Sequence, residues 1–276
     1  MYRYSQAANH CAFRSNMPLS NDQIAAYAPS VLSETAHESR GERYTFIPTV
    51  RVIDGLRQQG FQPFEVRQTR VRNITKREYT KHMVRMRHSS SIDAKGEVPE
   101  IILLNSHDGS SSYQLLAGVF RFVCSNGLIA GDVVEDVRVR HSGNVVDDVI
   151  EGSFRVLEDS QQVISRISHY KSVSLSATEQ RAFADSAVRL RWGDASPIKY
   201  DSLLIPRRWD DKQDDLWTVF NRVQENLVKG GLNGRTAKGR RMHTRAVAGV
   251  NENVKLNRAL WTLADNMAAI KQKLAA

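Results

Sequence analysis

Residues 100–128 read EIILLNSHDGSSSYQLLAGVFRFVCSNGL, and this stretch decides the fold class. An apolar run, residues 101–104, breaks into the polar turn NSHDGS at 105–110, and a second apolar run follows over 113–123. Asn, Asp, Ser and Gly between two apolar runs predict a strand, a tight connection and a second strand. Their short side chains satisfy nearby backbone groups, and Gly accepts positive φ. The concentration of Asn, His, Asp and Ser exceeds what a plain turn requires, so the turn is also the first place to look for function.

Upstream, residues 44–47 (YTFI) predict a short strand. A helix starting at Pro48-Thr49 is striped by Val52, Ile53 and Leu56 and stopped by Gly60; a strand follows over 61–71. Residues 1–43 read as a flexible lead-in, with a short helix at 24–27 capped from Asn21-Asp22-Gln23. Downstream, DVRVRH at 136–141 alternates as a strand should. Apolar periodicity over 145–169 predicts one long helix or two short ones, with Gly152 the weak point. Ser176 and Glu179 form a capping-box pattern opening a helix to about Trp192. A loop over 197–208 follows, then a helix over 210–229, then a last helix over about 253–274. The segment GGLNGRTAKGRRMHTR, 230–245, has four glycines and no acid, and is expected to stay disordered until it meets a polyanion. The fold class expected is α+β: a strand-rich N-terminal half with a mixed or antiparallel sheet (44–141), and a helical C-terminal half (142–276).

The 276 residues carry a net charge of +9, which favours polyanionic partners, nucleic acid first. No amphipathic basic helix stands at either terminus, so a membrane partner is not expected. No run approaches the roughly 18 apolar residues that cross a bilayer, and MYRYSQAANHCAFR lacks a signal-peptide core, so a soluble cytoplasmic protein is expected. Two cysteines, Cys11 and Cys124, are too few for a disulfide framework or a four-thiolate metal site.

The cations cluster. Between residues 65 and 88 the acids Glu65 and Glu78 face Arg67, Arg70, Arg72, Lys76, Arg77, Lys81, Arg85 and Arg87. Alternation in MVRMRH places Arg85 and Arg87 on one strand face, expected to be the solvated one, with Val84 and Met86 towards the core. With Arg138 and Arg140, and with Arg235, Lys238, Arg240, Arg241 and Arg245, they make a phosphate-tracking surface the expectation. Tyr79, flanked by Lys76, Arg77 and Lys81, is the aromatic placed to stack on a base; Trp217 and Trp261, at helical spacing, are expected in the core. His107 and Ser110 could contact sugar or phosphate oxygens, as short polar side chains do. His107-Asp108 could alternatively begin a metal site, with His82, His88, Asp93 or His141, though no diagnostic spacing links them. Cys124 near a histidine has the elements of a thiol nucleophile, but Phe122, Val123 and Leu128 around it read as core. No GxxxxGK[ST] loop occurs and no cofactor is expected.

The stretches PSVLSETAHESRGERYTFIPT (29–49), NSHDGSSSYQLLAGVFRFVCSNGL (105–128) and VRVRHSGNVVDDVIEG (137–152) closely resemble a family carried by prophages and conjugative plasmids. It is known as the domain of unknown function 932, or phage/plasmid-like proteins. The resemblance runs collinearly from about Pro29 to about Tyr170 and returns at RWGD, 191–194. It implies a gene set among functions for DNA transfer, recombination and evasion of host defence, and carries over no catalytic residue. A DNA-binding protein of a mobile element is therefore favoured over an enzyme, with single-stranded DNA as ligand, in recombination, annealing or establishment of a plasmid or phage. Assembly into a ring or filament is the accompanying expectation. The alternatives are an anti-defence or regulatory protein that binds a host defence or recombination protein, and a metal-dependent nuclease or phosphohydrolase using His107 and Asp108.

Overall fold

The structure, a computed structural model, describes residues 11–41, 44, 46–91, 96–121, 126–129, 137–139 and 145–275. The expected pair of strands is there, as β4 and β5 of a larger sheet. Among the described residues this sheet has β1 (Ala12–Arg14), β2 (Phe61–Gln68), β3 (His82–His88), β4 (Glu97–Asn105), β5 (Tyr113–Arg121), β6 (Asn126–Ile129) and β7 (Val137–Val139). Its order is β1-β2-β3-β4-β5-β6, with β7 also paired to β5. The ladders β1–β2, β2–β3, β3–β4, β4–β5 and β5–β7 are antiparallel, so the arrangement is α+β with an antiparallel sheet.

The chain divides into two compact units: residues 1–128, 134–161 and 248–250, and residues 129–133, 162–247 and 251–276. The first holds the sheet with α1 (Asn21–Tyr27) and α2 (Thr49–Gln58), whose Val52, Ile53 and Leu56 are fully buried as the stripe predicts. Residues 145–172 form one continuous helix, α3 (Val145–Ser172), so Gly152 does not break it.

Several local expectations change. The lead-in is not wholly flexible, because Ala12–Arg14 pairs with β2 through Ala12↔Arg67 and Arg14↔Glu65. Ser20 rather than Asn21 caps α1, in a capping box with Gln23. Tyr44, Phe46 and Ile47 are not strand; side chains tie this segment down, through Tyr44 Oη donating to the Ser106 carbonyl (2.8 Å) and Asn105 Nδ2 donating to the Ile47 carbonyl (3.1 Å). Asn126-Gly127 lies in β6.

The largest correction concerns β3. Both of its faces are covered, and Arg85 and Arg87 are each 1% exposed. The register that pairs Met86 with Ile101 sets Arg87 beside Glu100 one position on. Arg85 Nε donates to Glu100 Oε2 (2.6 Å) and Arg87 Nε to Oε1 (2.8 Å). The Arg87 guanidinium also lies over the Phe120 ring, 3.5 Å from its centroid, and 4.3 Å from that of Phe64. Gly127 leaves room for the Arg85 guanidinium, since a Cβ there would sit 2.7 Å from Arg85 Cζ. Glu65, 3% exposed, accepts from Arg14 and from Arg67 Nε. Burial alone would raise the Glu65 carboxyl, but the guanidiniums of Arg14, Arg67 and Arg85 outweigh it and hold it well below the usual carboxylate range. Arg67, Arg85 and Arg87 are thus framework, not a solvated cationic face.

In the second unit, α4 (Ala177–Trp192) opens with the expected Ser176–Glu179 capping box. A four-residue helix, α5 (Asp201–Leu204), interrupts the expected loop. A 3-10 turn, Trp209–Asp211, precedes α6 (Leu216–Lys229), which Asp215 caps by accepting from Thr218 N. The helix therefore starts six residues later than expected. From Leu216 to Val228 α6 is buried on every side. Trp217 stacks on Phe220 at 5.5 Å, and Trp261 of α7 (Val250–Ala275) meets both edge-on, so these two tryptophans are core. No helix among the described residues is long and apolar enough to cross a membrane.

Candidate nucleic-acid interface

The segment expected to be disordered is an ordered hairpin. β8 (Asn233–Arg235) pairs antiparallel with β9 (Arg241–His243) around a turn in which Thr236 N donates to the Arg240 carbonyl and Gly239 N to the Thr236 carbonyl. What ordered it was tertiary anchoring. Gly230 ends α6 at φ +64°, where a Cβ would stand 2.6 Å from the Arg245 carbonyl carbon, so only glycine lets the two hairpin legs meet. Arg191 donates to the carbonyls of Leu227 and Arg245, and Arg207 to Asn226 Oδ1 (2.7 Å) and the Gly230 carbonyl (2.6 Å). Glu225, buried on α6, takes a bidentate pair from Arg208 (2.6 and 2.7 Å) and Lys229 (2.6 Å). The buried helix is the pedestal on which the hairpin stands.

Arg235, Lys238, Arg240, Arg241 and Arg245 are all exposed. Among the described residues no carboxylate lies within ion-pair distance of any of them. The sequence explains this, because no acid occurs between Glu225 and Glu252. Also in the second unit, Trp209 is 78% exposed with Lys212 Nζ 3.5 Å from its ring centroid. Sequence reasoning passed over Trp209; its position among Arg207, Arg208 and Lys212, outside any apolar periodicity, was the available signal.

In the first unit the loop between β2 and β3 carries Arg70, Arg72 and Lys76, exposed, with Arg77 and Lys81 half-buried. Ile74 in that loop is 78% exposed. Tyr79 is half-buried and packs edge-on against His37 at 5.2 Å, so its ring is already engaged. Arg138 lies in β7 opposite Gln114, while Arg140, His141, Asp93 and Cys124 lie outside the described residues.

The polar turn is built inward. His107 is fully buried, its ring 4.7 Å from that of Phe46 and 5.0 Å from that of His82, so it cannot meet a sugar or phosphate in this fold. Asp108 Oδ1 accepts from Ser110 N (2.9 Å) as a turn residue, and Ser110 is exposed. Among the described residues no three His, Cys, Asp or Glu side chains gather as metal ligands, and the adjacent His107 and Asp108 are occupied differently. The turn instead holds neighbouring backbone: His37 N donates to the His107 carbonyl (2.9 Å), and His107 N to the Tyr79 carbonyl (2.9 Å).

His82 beneath it is wired in one tautomer. The Thr80 carbonyl can only accept, so Nδ1 carries the proton (3.1 Å). Nε2 then accepts from Thr49 Oγ1 (2.8 Å), which itself accepts from Asn105 Nδ2 (3.0 Å). Burial first, and then His107, push the His82 pKa well below its ordinary value, with the Thr80 bond opposing. An imidazole that refuses a proton in the fold but takes one when unfolded destabilises the fold only on the acid side. Stability from this source should be full above about pH 6.5 and fall by up to about 1.4 kcal/mol per unit as pH drops below it. Urea midpoints of the wild type and His82→Gln between pH 8 and 5 check this; equal slopes would refute it.

A model of the family described as "Domain of unknown function (DUF932)" matches residues 36–261, which carries the resemblance well past Tyr170. The chain is 51% identical over 255 residues to UPF0380 protein YfjQ of Escherichia coli (strain K12), covering 92% of this chain and 93% of that one. It is 52% identical over 253 residues to UPF0380 protein YafZ of the same strain, covering 91% and 92%. No solved structure matches. With the family match spanning both the inward-built turn and the hairpin, the chain belongs to the DUF932 family.

Proposed function

We propose that this protein binds nucleic acid, with single-stranded DNA as its ligand, in the recombination, annealing or establishment steps of a mobile element. The observation that carries the reading is the cationic hairpin: five exposed Lys and Arg side chains on one anchored element without a carboxylate partner among the described residues. Such a surface gains free energy from a polyanion by releasing its counterions, and a single strand can follow a short curved element that a stiff duplex would have to bend around. Trp209, exposed and flanked by cations, supplies the sequence-tolerant base platform that single-strand binders use, worth about 1–3 kcal/mol per stacked base. The loop bearing Arg70, Arg72, Lys76 and Arg77 is a second phosphate-tracking element in the first unit.

The test is anisotropy of labelled single- and double-stranded oligonucleotides across a salt series. The wild type should bind single strands more tightly than duplex, with affinity falling as salt rises. Arg240→Ala/Arg241→Ala should flatten the log–log salt slope by about 1.4, two single-strand phosphate contacts. Trp209→Ala should weaken single-strand binding by roughly tenfold with the slope unchanged, as loss of stacking requires. Salt-independent affinity, or none at low salt, refutes the reading.

A further inference from the structure

A cleft of about 930 Å³ opens between the hairpin and the 196–202 segment, wholly within the second unit. Its two walls are held in register. Arg235 N donates to the Pro197 carbonyl (2.8 Å), and the Ser196 hydroxyl closes the opposite wall by donating to the Ile198 carbonyl (2.9 Å). Gly234 lets the hairpin lie flush there, since a Cβ would stand 2.5 Å from the Pro197 carbonyl oxygen and 2.9 Å from Ile198 Cγ2.

The lining divides by chemistry. Ile198 and Met242 are apolar, one on each wall, and Met242 is the cross-strand partner of Gly234. Lys199, Arg235, Arg241 and His243 supply the cations, and Asp201 is the one carboxylate on the lining. Arg235 and Arg241 are directly opposite in the ladder. Like charges in that position repel and weaken a two-stranded pairing. Arg235 donates to the Gly239 carbonyl (3.1 Å), but no carboxylate among the described residues neutralises either guanidinium. An anion held between them would remove the repulsion.

We propose that this cleft seats one nucleoside 5′-phosphate unit of the bound strand. The phosphate lies between Arg235 and Arg241, and the nucleoside lies against the 196–202 wall. The cleft volume is at the upper end of what small-ligand sites enclose, so a nucleotide with its neighbouring linkages fits. Asp201 disfavours a polyphosphate in the same space. This deepens the nucleic-acid reading and rests on it: the hairpin would read one nucleotide by enclosure as well as tracking phosphates along its outer edge.

The test titrates the full-length, ¹⁵N-labelled protein with thymidine 5′-monophosphate, thymidine and inorganic phosphate, following the amides of residues 196–202 and 233–243 by NMR. Gly234→Ala, which wedges the hairpin off its wall without touching a charge, and Arg235→Gln/Arg241→Gln are run alongside, with the oligonucleotide titration on every variant. Thymidine 5′-monophosphate should saturate, shift the amides of both walls and bind at least about tenfold more tightly than either fragment. Both variants should lose that difference, and Arg235→Gln/Arg241→Gln should protect the ligand-free hairpin amides from exchange. If oligonucleotides bind with salt dependence while the mononucleotide leaves both walls unmoved, the cleft assignment falls and the nucleic-acid reading stands. If the mononucleotide saturates the cleft but no oligonucleotide binds, the nucleic-acid reading falls, and the seating of a strand unit with it. Equal, weak responses to phosphate and mononucleotide also overturn the assignment.

Discussion

Glu100→Gln should destabilise the first unit by about 3–5 kcal/mol, the range for leaving buried charge without its partner. Glu100 is 2% exposed and is the shared acceptor of two guanidiniums that are each 1% exposed. Losing its charge removes the carboxylate that both buried guanidiniums share, while the nearby Glu65 is engaged by Arg14 and Arg67. Against a total stability of order 5–15 kcal/mol, the change approaches unfolding. Replacing the whole triad with apolar residues of similar shape, Arg85→Met/Arg87→Met/Glu100→Leu, should cost less than Glu100→Gln alone, because it removes the desolvated charges together. Urea denaturation of the four proteins reads this directly. A Glu100→Gln midpoint within error of the wild type would show that water reaches the triad. Arg85→Ala and Arg87→Ala are for the same reason unsuitable probes of DNA binding, since any loss would report unfolding.

Trp261→Ala should cost the second unit about 3–5 kcal/mol, as emptied aromatic sites in cores do. Trp261 is fully buried, with ring centroids of Tyr170, Phe220 and Trp217 at 5.7, 5.9 and 6.3 Å. It joins α7 to α6, and α6 carries the anchors of the hairpin through Asn226, Glu225 and Gly230. Trp261→Phe keeps part of the ring contact and should lose less than half as much. Thermal unfolding followed by far-UV circular dichroism measures both. Hydrogen exchange at Gly231 and Thr244, whose backbone bonds close the hairpin base, should accelerate in Trp261→Ala. Unchanged exchange there would separate the hairpin from its pedestal.

Much of the architecture was legible because it rests on local pattern. Apolar runs flanking NSHDGS predicted β4 and β5, the stripe at Val52, Ile53 and Leu56 predicted α2, and Ser176 with Glu179 predicted the start of α4. The expected start of α6 was six residues early, because Asp215 is the cap and Asp210 and Asp211 belong to a 3-10 turn. The candidate site was legible only in composition. The hairpin cations were visible, but their order was not, since it comes from Arg191, Arg207 and a glycine at the end of a buried helix.

By itself the sequence determined the fold class, the family and the excess of positive charge, all properties of pattern and composition that need no partner in space. Tertiary structure decided which of those charges face water. Alternation in MVRMRH puts Arg85 and Arg87 on one face but cannot say whether another layer covers it. Only the pairing of β3 with β4 brings Glu100, thirteen residues from Arg87, to make their burial affordable. At the hairpin no such acid arrives among the described residues, and the same residue type stays in solvent, available to a polyanion.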